Sequence, residues 1–280
     1  MSDNFSLVND FELLEKISNS HSSEVFKCKH KLSNKIYVIK RYPQECFIKS
    51  ESDIDFQREK SVLLNISKRN HPNIPKLNNS FEDISYRYLL FDYFEWRDLE
   101  HYMQEQKGKL DEKIIIHIIR EMLKTLSFLH DECFVMHRNI KPNSIIIDKN
   151  NNIKLIGFHI AAYLKNRNKQ LVSRNSFKGH IKYVPPEILY GNIKVGVYDA
   201  KIDVFSLGYT IYYLMNKELP SETKNANGIF NRENKPLKNN NNYSQWLVQF
   251  VELLFSENPN KRPTASEALK LLENNLNNQK

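Results

Sequence analysis

The 280 residues predict an α+β chain in two parts, a small β-rich N-terminal part with one helix and a larger, mainly helical part after it. Three observations point there. Between residues 11 and 41, three short segments alternate apolar and polar residues or concentrate β-branched and aromatic ones, as antiparallel strands do. From residue 52 to 68 apolar residues recur at helical spacing. Beyond residue 98 five further helical segments follow, with an Asn- and Lys-rich stretch between the third and the fourth.

The expected strands are 11–16, 24–30 and 35–41. The helix at 52–68 is expected to bury Ile54, Val62, Leu63 and Ile66, with Asp53 and Asp55 in its first turn facing the positive end of the helix dipole. Later helices are expected at 99–106, 111–133, 201–215, 243–255 and 265–275. Asp148-Lys149-Asn150-Asn151-Asn152 reads as a turn between two strands. The stretch 225–242 reads as an irregular loop, and residues 1–10 and 273–280 as polar tails. No internal repeat is evident.

A composition of 40% hydrophobic and 11% aromatic residues is enough to bury a sizeable core in two lobes. No signal-peptide pattern and no membrane-length apolar run stands in the sequence. Cys28, Cys46 and Cys133 form no disulfide or metal-ligand pattern, so a reducing intracellular setting, the cytoplasm, is the expectation. The net charge is +8, but the basic residues are scattered. Lys165-Asn166-Arg167-Asn168-Lys169 comes nearest to a basic patch and reads as a solvated loop. Neither a nucleic-acid nor a membrane partner is expected.

Motifs carry the functional reading. In chain order stand Ser18-Asn19-Ser20-His21-Ser22-Ser23-Glu24-Val25, Tyr37-Val38-Ile39-Lys40, Glu59, His71-Pro72-Asn73-Ile74, Tyr88-Leu89-Leu90-Phe91-Asp92-Tyr93-Phe94 and His137-Arg138-Asn139-Ile140-Lys141-Pro142-Asn143-Ser144. There follow Ile153-Lys154-Leu155-Ile156-Gly157-Phe158-His159, Gly179-His180-Ile181-Lys182-Tyr183-Val184-Pro185-Pro186-Glu187, Asp203-Val204-Phe205-Ser206-Leu207-Gly208 and Asn258-Pro259-Asn260-Lys261-Arg262-Pro263. Each alone is a weak match, but in this order and spacing the series resembles the eukaryotic protein kinase family, Ser/Thr type, in a degenerate form.

The resemblance implies a bilobal kinase-like domain over 11–272, with an N-lobe at 11–91, a hinge at 92–98 and a C-lobe at 99–272. It implies an ATP pocket of Val25, Val38, Lys40, Glu59, Phe91, Asp92, Phe94 and Ile146, with Phe91 as gatekeeper and Lys40 paired to Glu59. Leu63, Leu77, His137 and Phe158 match the family's hydrophobic column, which Asp203 anchors. Glu187 and Arg262 match a structural ion pair. Arg138 matches the arginine that binds a phosphorylated activation loop, with Ser173 and Ser176 as acceptors. Val38 stands for the usual alanine and adds bulk above adenine. Trp96-Arg97 replaces small residues, narrowing the outer pocket or forming a protein-binding knob. Lys141 favours the Ser/Thr type, while His180 replaces the expected threonine.

The chemistry-bearing positions depart from the family together. The catalytic Asp is Asn139, whose amide is not basic, so general-base help of about 10²–10⁴-fold is lost. The magnesium-binding Asn is Ser144, and Asn143 does not restore it. The Asp of D-F-G is Gly157, with His159 in place of the glycine. Magnesium needs hard oxygen ligands, and neither position offers a carboxylate. The glycine loop carries Ser18, Ser20 and Ser23 at its three glycine positions, and Glu24 is expected to repel a triphosphate.

The resemblance therefore implies a pseudokinase, a protein-binding or allosteric regulator in phosphorylation signalling whose partner is an active kinase or a scaffolded substrate. It requires no cofactor or metal, and any ATP binds without magnesium. Two alternatives stay open: a divergent but active Ser/Thr kinase, and a metal-independent nucleotide sensor.

Overall fold

A computed structural model describes residues 8–44, 50–106, 110–164, 179–189, 199–219, 222–224, 230–232 and 243–278. They form an α+β fold that divides into two compact units, Met1–Glu95 with Gly157–Ala161, and Trp96–Ile156 with Ala162–Lys280.

In the first unit, β1 (Phe11–Asn19), β2 (Glu24–His30), β3 (Ile36–Pro43), β4 (Leu77–Glu82) and β5 (Tyr86–Asp92) make one antiparallel sheet in the order β1-β2-β3-β5-β4. Side chains alternate between its faces. One face buries Phe11, Cys28, Tyr37, Ile39, Tyr88 and Leu90. There Phe11 meets Tyr37 edge-on and stacks on Phe81, with ring centroids 5.8 and 5.9 Å apart. The opposite face is set by register: Val25 opposes Lys40, Val38 opposes Phe91, and Lys40 opposes Leu89. Tyr42, two residues past Lys40, shares that face.

Helix α1 (Glu51–Ser67) begins where the Ser50 hydroxyl accepts the Asp53 N–H at 3.2 Å. It packs on β3, β4 and the short turn Phe158–Ile160. Its buried residues are Ser52, Asp55, Phe56, Glu59, Val62, Leu63 and Ile66. Two expectations are corrected here. Ile54 is 38% exposed, because it lies about 200° around the helix from Phe56. Asp55 is turned inward, accepting from Ser22 and Arg58, so Glu51 and Asp53 supply the acidic first turn.

The second unit contains a three-stranded sheet of β6 (Arg97–Asp98), β8 (Ile145–Ile147) and β9 (Ile153–Leu155), in the order β6-β8-β9. The strand pair β7 (Val135–Met136) and β10 (Ala162–Tyr163) lies beside helices α2 (Leu99–Glu105), α3 (Glu112–Ser127), α4 (Pro186–Leu189) and α5 (Lys201–Asn216) in sequence. Phe230–Arg232, β12, pairs with β11 (Glu222–Lys224), which corrects the irregular reading of 225–242 at those three residues; the rest of that stretch lies outside the described residues. Helices α6 (Gln245–Leu254) and α7 (Ala265–Asn277) complete the unit.

Helix α3 buries Ile115, Ile118, Ile119, Met122, Leu123 and Leu126 at intervals of three and four residues. The helix expected at 111–133 does not keep one geometry: from Phe128 to Glu132 it widens into a π turn, closed by the Cys133 N–H on the Phe128 carbonyl at 3.1 Å. Helix α5 is buried nearly all round and packs on α3 and α6. At Gly208 an added Cβ would stand 2.8 Å from Leu254 Cβ, so glycine sets that close approach. The folded region also passes residue 272, where a tail was expected. Helix α7 runs on, with Glu273 accepting from Arg120 Nε at 2.7 Å. At the other end Asn9 and Asp10 accept from the Lys31 side chain and amide.

Cys28 and Cys133 are buried and in no disulfide, and Cys46 lies outside the described residues. Among the described residues no helix is long and apolar enough to cross a membrane.

Candidate functional site

In the first unit the β1–β2 turn is built by its serines. The Ser20 amide and hydroxyl both donate to the Ser23 carbonyl, at 2.8 and 3.0 Å, and the Ser23 amide donates back to Ser20 Oγ at 3.1 Å. Ser22 Oγ donates to Asp55 of α1 at 3.1 Å. The turn is thus tied to itself and to the helix. Glu24 does not stand toward Lys40 as an open negative charge, a correction to its expected role. It opposes Arg41 on the other face of the sheet, paired with Lys16 and with Arg41 Nε at 2.7 Å. The Lys16 hydrogen bond chiefly holds its carboxyl below the usual range.

Val25, Val38, Lys40 and Phe91 share the face that also carries Tyr42, whereas Ile146 is buried in β8 of the second unit. Lys40 Nζ donates to Glu59 Oε2 at 2.6 Å. The Tyr42 hydroxyl donates to the same oxygen, and the Phe158 amide to Oε1 at 3.3 Å. Burial, the largest influence, opposes ionisation of Glu59, but the Lys40 and His159 charges and the hydrogen bonds from Lys40 and Tyr42 together hold the carboxyl below its ordinary pKa. Tyr42 was not among the sequence candidates. Its strand period, two residues from Lys40, was the available signal.

Gly157 adopts φ 87° and ψ 52°, in the left-handed region where glycine carries no Cβ penalty. Just beyond it, Arg58 Nη1 donates to the His159 carbonyl at 3.1 Å. Leu63, Leu77 and Phe158 are buried in this unit, on α1, β4 and the following turn. At the end of β5, Asp92 is exposed and accepts from Asn78 Nδ2 at 3.0 Å, while Phe94 is half-buried.

In the second unit the loop 137–144 hangs on Asp203. Its Oδ2 accepts the His137 amide at 2.8 Å and meets His130 Nε2 at 2.9 Å, and its Oδ1 accepts the Arg138 amide at 2.8 Å. Arg138, at φ 67°, makes the left-handed bend beside these amides. Burial opposes the Asp203 charge, yet the His130 hydrogen bond and the backbone donors keep its pKa below the usual value. His137 is fully buried; its Nδ1 accepts the Asn139 amide at 3.3 Å, so Nε2 is the nitrogen that donates to the Ile156 carbonyl at 3.0 Å.

Ser144 is buried, and its hydroxyl is spent inside the loop, accepting from the Lys141 amide at 2.9 Å and donating to the Lys141 carbonyl at 2.8 Å. Asn143 is exposed, with Nδ2 3.4 Å from Asp98. Asn139 is half-buried. Burial lowers the Lys141 pKa.

Elsewhere in this unit Glu187 and Arg262 form a two-pronged pair, Nη1 to Oε1 at 2.8 Å and Nη2 to Oε2 at 3.1 Å, with Arg262 also donating to the Ser256 and Lys201 carbonyls. Arg97 pairs with Glu105, and His180 is exposed with its ring against Tyr183. Ser173, Ser176 and the stretch from Lys165 to Lys169 lie outside the described residues.

Residues 11–271 match the protein kinase domain family. The chain belongs to that family. Among curated relatives, serine/threonine-protein kinase dst2 of Dictyostelium discoideum is 30% identical over 264 residues, covering 93% of this chain and 22% of that protein. Serine/threonine-protein kinase CHK1 of Saccharomyces cerevisiae is 29% identical, over 79% of this chain and 42% of that protein. An Aurora kinase of Debaryomyces hansenii is 27% identical, over 94% and 61%. The chain therefore spans between 22% and 61% of these relatives' length.

Protein kinases hold magnesium with the D-F-G Asp and the catalytic-loop Asn. The aligned residues of this domain do not fit the ion: Gly157 has no side chain and Ser144 has turned its hydroxyl onto Lys141. Among the described residues no cluster of three or more His, Cys, Asp or Glu could hold a metal.

Proposed function

We propose that this domain is a pseudokinase, a protein-binding or allosteric regulator in phosphorylation signalling that does not transfer phosphate. The observation that carries the reading is the occupation of the Ser144 hydroxyl by its own loop, together with a Gly157 that has no side chain to bind a metal. Asn139 supplies no basic group to take a hydroxyl proton. What the chain keeps is framework: the Asp203 anchor and the Glu187–Arg262 pair. Such a fold acts by binding one conformation of a partner better than another, the partner being an active kinase or a scaffolded substrate. The domain requires no cofactor, any ATP it takes is held without magnesium, and its proposed setting is the cytoplasm.

A second reading, an active divergent Ser/Thr kinase, is favoured by the closed Lys40–Glu59 pair at 2.6 Å and by the kinase names of the relatives. Phosphotransfer with labelled ATP, with Mg²⁺ or Mn²⁺, separates the two when compared with Lys40→Met. The regulator reading expects no incorporation above that variant. Incorporation that Lys40→Met abolishes overturns it. Thermal unfolding with ATP adds the nucleotide: ligand at 100 times its Kd stabilises by about 2.7 kcal/mol, and a shift without metal or turnover marks a nucleotide sensor.

A further inference from the structure

Tyr42 is fully buried, its ring edge-on to Phe56 of α1 with centroids 5.6 Å apart. Its hydroxyl and Lys40 Nζ share Glu59 Oε2, and the Phe158 amide takes Oε1. From the β1–β2 turn the Ser23 hydroxyl faces the same phenol. We infer that Tyr42 is a latch: its hydroxyl holds Glu59, and through it α1 and the Phe158 backbone, against β3.

Packing alone does not call for the hydroxyl, since a phenyl ring would fill the same space against Phe56. A buried phenol needs a partner, and a carboxylate is the strongest acceptor it can find. Burial, and then the Glu59 charge, push the phenol's pKa well up, so the group stays a donor. Lysine reaches Glu59 through a flexible four-carbon stem. Tyrosine reaches it through two torsions, with its ring fixed by Phe56. The same cluster joins the serine turn, β3, α1 and the segment after Gly157, all within the first unit. Glu59 is thereby held twice from β3, so its position does not hang on Lys40 alone. As a regulatory device, presenting α1 in one preset position to a partner, the latch rests on the regulator reading; its geometry does not.

Hydrogen exchange by mass spectrometry, on the whole chain without nucleotide, tests this. Tyr42→Phe should speed exchange across α1 and around Phe158 by about tenfold, leaving β2 and β5 unchanged. Lys40→Met, read at about pH 4 where Glu59 can carry a proton once its counter-charge is gone, should change α1 by less than about threefold, because the phenol still holds the carboxyl. Exchange in Tyr42→Phe within about twofold of the unmutated chain overturns the latch, as does opening of α1 in Lys40→Met to the tenfold level. Should Tyr42→Phe fail to fold, the Lys40→Met arm decides alone. Neither arm reads phosphotransfer, so the latch and the regulator reading stand or fall separately.

Discussion

The Ser144 hydroxyl and the Lys141 backbone are bonded in both directions, amide to oxygen at 2.9 Å and hydroxyl to carbonyl at 2.8 Å. A side chain that closes its own loop in this way contributes to the loop's shape. Restoring the metal set by Asn139→Asp, Ser144→Asn and Gly157→Asp therefore carries a stability cost. Losing the Ser144 bonds costs about 1–2 kcal/mol, and an Asp at the left-handed Gly157 about 1 kcal/mol more. The triple variant should melt lower than its parent yet gain a magnesium-dependent shift with ATP. A lower melting point with no such shift would show that the metal residues are not the limiting loss.

Glu187→Ala should destabilise by about 3 kcal/mol, read from urea unfolding, because it leaves a buried guanidinium without its counter-charge. Arg262 is 1% exposed and lies 4.8 Å over the Phe205 ring. The Ser256 and Lys201 carbonyls still accept from it, which keeps the loss at the low end of the usual range. Glu187→Gln retains an acceptor and should cost less. Equal losses for the two would mean that the charge contributes nothing.

These contacts differ in how far the sequence announced them. The family resemblance paired Lys40 with Glu59 and Glu187 with Arg262 before any coordinates, whereas for Asp203 it gave an anchoring role without its partners. The Tyr42 contact was not legible, because no one-dimensional pattern says that its phenol ends on a carboxylate 17 residues away. The face of Glu24 was readable and missed: next to Val25 in a strand, it must point the other way. Ile54 was misplaced because hydrophobicity was weighed above angular position, and α1 buries Asp55 and Glu59 in its stripe. The π turn at Phe128 lay beyond reach, since one added residue in a helix's last turn leaves the preceding period intact.

Acid should weaken the fold through Asp203 and Glu59. In the unfolded chain these groups titrate near 3.9 and 4.3, and in the folded chain both are held lower. The sign follows: their stabilisation is present above about pH 4 and is lost as pH falls toward the folded values. Urea midpoints measured from pH 6 to pH 3 should drop at the acid end. Asp203→Asn should start lower, having lost charge-assisted bonds to two amides and His130, and should show a shallower drop. An unchanged acid slope in that variant would remove Asp203 from the account.

The serine turn gives the last expectation. In the family this turn covers phosphate with glycines, whose missing side chains let amides approach. Here the Ser20 hydroxyl is both donor to the Ser23 carbonyl and acceptor from the Ser23 amide, so the turn's polar groups are satisfied from within. Replacing Ser18, Ser20 and Ser23 together with glycine removes those bonds and adds backbone freedom to the unfolded chain. The combined loss should be about 2–3 kcal/mol. Exchange should rise in the turn and spread to the N-terminal half of α1, since Ser22 can hold Asp55 only while the turn keeps its shape. Because the metal residues are unchanged, the glycines alone should bring no magnesium-dependent ATP shift. If such a shift appeared, the turn and not Gly157 and Ser144 would be what limits magnesium-dependent ATP binding.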